Sequence, residues 1–123
     1  MKSFMAQKHY NLKKINEIAQ GDQGFVRDML ETFVENVSIE IKRIQTFMPM
    51  ENWTAIAETA HKLASNFAYL GSHNLHTLAA DIEKSVINDN NLIGIAEKTE
   101  EMCNQGIVLI RQLKNDFCIL DKN

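Results

Sequence analysis

Apolar residues recur at intervals of three and four through nearly the whole chain, in runs separated by short polar breaks. That period predicts helices and leaves little room for strands. Residues 10 to 20 predict a short first helix with Leu12, Ile15 and Ile18 or Ala19 on one face. Gly21 breaks it, and Asp22 stands where it can cap a second helix that carries Phe25, Met29, Leu30, Phe33, Val37, Ile41 and Ile44 and ends near Phe47. Beyond the "MPMEN" turn, a third helix from Asn52 to Leu70 puts Trp53, Ile56, Ala60, Leu63, Phe67 and Leu70 on one side. Gly71 follows where a left-handed residue closes a helix, and Ser72 is placed to cap a fourth helix with Leu75, Leu78, Ala79, Ile82 and Val86. "NDNN" supplies the next turn. The last helix, residues 91 to 118, runs through Leu92, Ile95, Met102, Ile110, Leu113 and Phe117, with Gly94 and Gly106 each costing about 1 kcal/mol against alanine. Connections this short force neighbouring helices antiparallel. The expected fold is all-α: an up-down antiparallel four-helix bundle with an additional short N-terminal helix across one end.

Composition narrows this picture without changing it. With 123 residues, 45% of them hydrophobic, the chain fits one domain spanning residues 1–123, with a leader over residues 1–9 and a last few residues that fray. A formal net charge of −3 disfavours a nucleic-acid surface, which carries a clustered basic excess. The first fourteen residues hold no continuous apolar segment, and nowhere do 18 apolar residues run together, so we expect a soluble, cytoplasmic chain with no membrane insertion. Cys103 and Cys118 lie roughly 22 Å apart along one predicted helix and cannot pair within it.

The third helix carries the candidate chemistry. On a wheel of 100° per residue its core positions fall within about 60° of Ile56, whereas His61 lands near 140°, on the solvent side. One turn either way stand Thr54, Ala57, Ala64, Ser65 and Ala68, small residues that predict a flat patch with the imidazole as its tallest feature. Alanine is also simply the best helix former. Imidazole is mostly neutral at pH 7 and then has one bare nitrogen with which to attack. Folding the third and fourth helices back about Gly71 and Ser72 brings Glu83 level with His61, where a carboxylate can accept from one ring N–H and fix the tautomer. Lys62 is placed either to neutralise a phosphoryl group on the histidine or to pair with Glu58 four residues earlier, and the pairing is the simpler expectation.

At "AHKLASNFAYLGSHNLHTLAADIE" the chain resembles the histidine-containing phosphotransfer (HPt) domain of multistep two-component phosphorelays. The shared pattern is a histidine after a small residue, a glycine ten residues on, a leucine and a closing Ile-Glu, here Ala60, His61, Gly71, Leu75, Ile82 and Glu83. Upstream, Tyr10, Leu12, Gly21, Asp22, Phe25 and Phe33 match the usual lead-in. The resemblance implies that His61 is phosphorylated and that Glu83 orients its ring. Lys62 and Ser65 would neighbour the phosphoryl group, Thr54, Ala57, Ala64 and Ala68 would form the docking surface, and Gly71 would make the structural turn. It also implies a carrier, not an enzyme, that passes phosphate between receiver-domain aspartates, with a response-regulator receiver and a hybrid sensor histidine kinase as partners. One departure stands out: many members carry lysine three residues after the histidine, where this chain has Ala64.

Phosphoryl transfer needs an in-line nucleophile, cations and exclusion of water. The sequence offers the nucleophile, but no phosphate-cradling "GxxxxGK" loop and no acidic cluster near His61. We therefore expect no cofactor and no metal on this chain, with Mg²⁺ supplied by the partner receiver domain, and an exposed carrier histidine suits a monomer. Two other functions compete: a docking module that binds receivers without transfer, and a metal-binding bundle using His73 and His76. The second lacks the inward-facing Glu-x-x-His pattern of bundle metal sites, so the two histidines read as surface residues.

Overall fold

Asp22 accepts a hydrogen bond from the backbone N–H of Phe25 at 3.0 Å, and Asn52 accepts from that of Ala55 at 3.2 Å. These two side chains satisfy N–H groups that the first turn of a helix otherwise leaves orphaned, and they fix where the two longest N-terminal elements begin. The computed structural model describes residues 8–120. Its helices are α1 (Lys13–Ala19), α2 (Gln23–Phe47), α3 (Trp53–Tyr69), α4 (His73–Glu83) and α5 (Ile95–Phe117), with a π-helical turn (Lys84–Asn88) continuing α4. Residues 1–7 of the expected leader, and the final three residues expected to fray, lie outside the described range.

Each long helix packs on two others, α2 on α3 and α5, and α4 on α3 and α5, which closes the ring of an up-down four-helix bundle; α1 packs on α2. The chain is therefore all-helical among the described residues, with the short N-terminal helix in addition. Phe67, Leu30, Ile44, Ile56, Leu63, Ile82, Met102, Leu109 and Leu113 are fully enclosed between the four helices. Burial of such side chains, at about 1.5–3 kcal/mol each, outweighs helix propensity as the source of stability. Gly106 belongs to this packing: a Cβ there would sit 2.7 Å from Ile41 Cδ1, so the glycine that weakens α5 locally also lets it approach α2.

Three expectations are corrected. In α2 the buried stripe is Val26, Leu30, Val34, Val37, Ile41 and Ile44, spaced four and three apart. Phe25, Met29 and Phe33 follow one another at i+4 along its edge, leaving Phe25 exposed and the other two half-buried. Leu92 is also exposed, because α5 starts only at Ile95: Gly94, at φ 71°, occupies the left-handed region that the helix cannot include. Ser72 holds the N-cap position of α4 without a side-chain capping bond, and donates its hydroxyl to the carbonyl of His9 instead.

That last bond belongs to a strap. Residues 8 to 12 cross the base of the bundle, where the N–H of Asn11 donates to Leu70 O at 2.8 Å and that of His9 to Gln112 Oε1 at 2.8 Å. Lys8 and Tyr10 both bond Asp116 Oδ2, at 2.8 and 2.6 Å, and the Tyr10 ring packs against Phe117. Burial, and then the hydrogen bond to Asp116, pushes the Tyr10 phenol from 10.0 up to about 12. A folded value above the unfolded one means that this group's stabilisation is complete below about pH 10 and is lost as pH rises through the folded value. Tyr10→Phe is expected to flatten the alkaline limb of the stability profile, measured as melting temperature against pH. An unchanged limb would detach Tyr10 from that loss.

Candidate functional site

α3 is covered on both flanks, by α2 on one side and by α4 with its π-helical turn on the other. Seven of its positions are consequently buried, Ile56, Ala57, Thr59, Ala60, Leu63, Ala64 and Phe67, and the strip left to solvent is narrow. Along it run Thr54, Glu58, His61, Lys62 and Ser65, with Ala68 half-exposed beyond them. This corrects the expected platform: Ala57 is 0% exposed and Ala64 is buried, so neither belongs to an open patch. A single-stripe wheel underestimates the buried arc of a helix with two neighbours. The small side chains at these positions serve close approach of the flanking helices instead.

That close approach has a polar consequence. Glu83, the last residue of α4, places both carboxylate oxygens 3.0 Å from His61 Nδ1. A carboxylate only accepts, so Nδ1 carries the proton and donates, which leaves Nε2 as the nitrogen with the free lone pair. The imidazole is 68% exposed and Glu83 35%. One ring nitrogen is thus tethered to the protein while the other faces solvent. A turn further along, His76 Nδ1 donates to Ala64 O at 2.9 Å, a second cross-link between α3 and α4. His76 is thus a half-buried residue with a structural partner, whereas His73 is exposed. Among the described residues no cluster of three or more His, Cys, Asp or Glu side chains is arranged to hold a metal ion.

Residues 28–116 match the Hpt domain family, well over half of the chain. The chain belongs to the Hpt domain family. It is accordingly a histidine phosphotransfer module of two-component signalling, a family whose members are phosphocarriers that interact with receiver domains and kinases. No curated protein and no solved structure matches it. Among the described residues no helix is long and apolar enough to cross a membrane.

In this Hpt domain, the remaining expected residues are partly reassorted. Lys62 is exposed, and the ion pair with Glu58 that their spacing permits is not formed. Both instead line an open cleft of about 510 Å³ beside His61 and Glu83, together with Arg43, Phe47, Ala55 and Thr59. Ser65 is exposed one turn beyond His61, and Gly71 adopts the left-handed turn at φ 68°. Arg43 and Phe47 were not among the expected site residues. The signal for them was present: folding α2 back on α3 about the "MPMEN" turn sets residues 43 and 57, and 47 and 53, at equal distances from it, the same reasoning that paired Glu83 with His61.

Proposed function

We propose that the chain is a phosphocarrier that accepts a phosphoryl group from a receiver-domain aspartate on His61 and passes it to another receiver aspartate. The observation that carries this reading is the Glu83 carboxylate at 3.0 Å from Nδ1 of a largely exposed imidazole. Nε2 attacks phosphorus in line, the bond from phosphorus to the aspartyl oxygen breaks, and the aspartate departs as a carboxylate with the electron pair. No proton leaves the ring. Nδ1 keeps its hydrogen against Glu83, whose negative charge offsets the positive charge that the substituted imidazole acquires. In the return step a second aspartate attacks and Nε2 is the leaving group. Mg²⁺ in this scheme belongs to the receiver.

Incubation with a phosphorylated receiver tests the reading: it expects acid-labile, base-stable phosphate that maps to His61. Tight receiver binding with no phosphate transferred would identify the chain as a non-transferring docking module instead.

Transfer also needs the receiver's backbone to approach α3, over an interface toward ~1,200 Å² or below. Ala68 is half-exposed two turns from His61, so a longer side chain there can extend toward solvent, whereas a substituent at buried Ala64 would strain the core. Ala68→Arg is expected to slow transfer from a receiver about tenfold at unchanged melting temperature, followed by quenched-flow phosphate counting. A normal rate would remove Ala68 from the docking face.

A further inference from the structure

The Hpt domain lacks a cation three residues after the histidine, at Ala64, yet a doubly negative phosphoryl group on His61 needs positive charge beside it. Two cations line the cleft that holds His61: Lys62 on α3 and Arg43 on α2. Resting on the carrier reading above, we propose that Arg43 is the residue that faces the phosphoryl group on His61 and offsets its charge, supplying from the neighbouring helix what position 64 does not.

Arg43 lies one turn before the end of α2, 46% exposed, with Phe47 after it on the same side of the cleft. Its only ion pair among the described residues is with Glu40, and that pair is loose: one guanidinium nitrogen stands 3.4 Å from Glu40 Oε1, an oxygen that makes no hydrogen bond. Most of the five guanidinium N–H donors are therefore uncommitted, and their planar fork matches the oxygens of a phosphoryl group. The other charges around the cleft are Glu58 and Lys62 from α3 and Glu83 from α4, with Glu83 already engaged by Nδ1. Lys62 makes no hydrogen bond or ion pair among the described residues and adds charge, but it is a point donor on the same helix as the histidine.

The test uses phosphoramidate, a small donor that needs no docking face, on the full chain. Loading of His61 and the phosphorus resonance of the product are followed by NMR as a function of pH. For Arg43→Gln we expect loading slowed roughly three- to tenfold and the titration midpoint of the phosphoryl group raised by about half a pH unit, both differences shrinking at high salt. Arg43→Lys should recover the midpoint in part. Independently of any variant, the Arg43 side-chain N–H signals of the wild-type chain should move when His61 is phosphorylated. Unmoved Arg43 signals, or a Gln variant that loads and titrates like wild type, would overturn the role of Arg43 and leave the carrier reading standing. A wild-type chain that takes no phosphate on His61 from either phosphoramidate or a phosphorylated receiver would overturn both.

Discussion

His61→Gln is expected to abolish phosphate uptake from a phosphorylated receiver altogether, with the melting temperature unchanged. Glutamine keeps much of the shape and polarity of the imidazole but has no nitrogen lone pair free to attack, so the loss is of chemistry. The fold should not notice, since the side chain is 68% exposed and substitutions at such positions usually stay within about 0.5 kcal/mol. Glu83 gives the graded companion. Its removal in Glu83→Ala takes away one charge-assisted hydrogen bond, worth about 1.5–3 kcal/mol, and transfer should fall roughly ten- to a hundredfold. Glu83→Gln, which retains an acceptor without the charge, should fall between. Residual phosphate on the chain in His61→Gln would send the search to another histidine, and an undiminished rate in Glu83→Ala would separate the observed contact from the chemistry.

Gly71→Val should be the most damaging single substitution for the fold. The residue sits at φ 68°, in the left-handed region that a β-branched side chain resists, and any Cβ there would lie 2.2 Å from the carbonyl oxygen of Asn11 and 2.8 Å from its nitrogen. Those are backbone atoms, and they cannot retreat without breaking the Asn11 N–H bond to Leu70. A loss of about 3 kcal/mol or more, and a fall in melting temperature on the order of 10 °C, is expected by circular dichroism. Gly21→Ala is the control: φ is 87°, but nothing lies within 4 Å of the new Cβ, so only the conformational cost of about 1–2 kcal/mol applies. Equal losses at the two sites would show that conformation, and not the strap's approach, sets the cost at Gly71.

Much of this architecture was legible in the chain before any coordinates. The period of three and four fixed helices and antiparallel order, Asp22 and Asn52 marked where two of them start, and Gly71 marked a turn. The meeting of His61 with Glu83 followed from counting outward from that turn. What escaped depended on neighbours. Ala57 and Ala64 look like a clear surface from α3 alone and are buried because α3 has a helix on each side. Ser72 has the right identity for a cap, yet its hydroxyl goes to a residue 63 positions earlier, a partner no local pattern contains. The π-helical turn after Glu83 leaves no mark in the composition, and Arg43 reaches the cleft beside His61 from α2, through a packing of helices that the pattern of α3 and α4 does not contain.

The strap at the base also determines how the domain can be joined to anything else. Lys8 Nζ and Asp116 Oδ2 are 2.8 Å apart and the Tyr10 ring packs on Phe117, so the strap and the last turn of α5 lie side by side at the base, where Asn11 meets Leu70. His61 stands nine residues up α3 from there, roughly 13 Å along the axis. A linker, a fluorophore or a surface anchor joined through residue 8 or residue 116 would therefore attach at the foot of the bundle, clear of the histidine midway along α3.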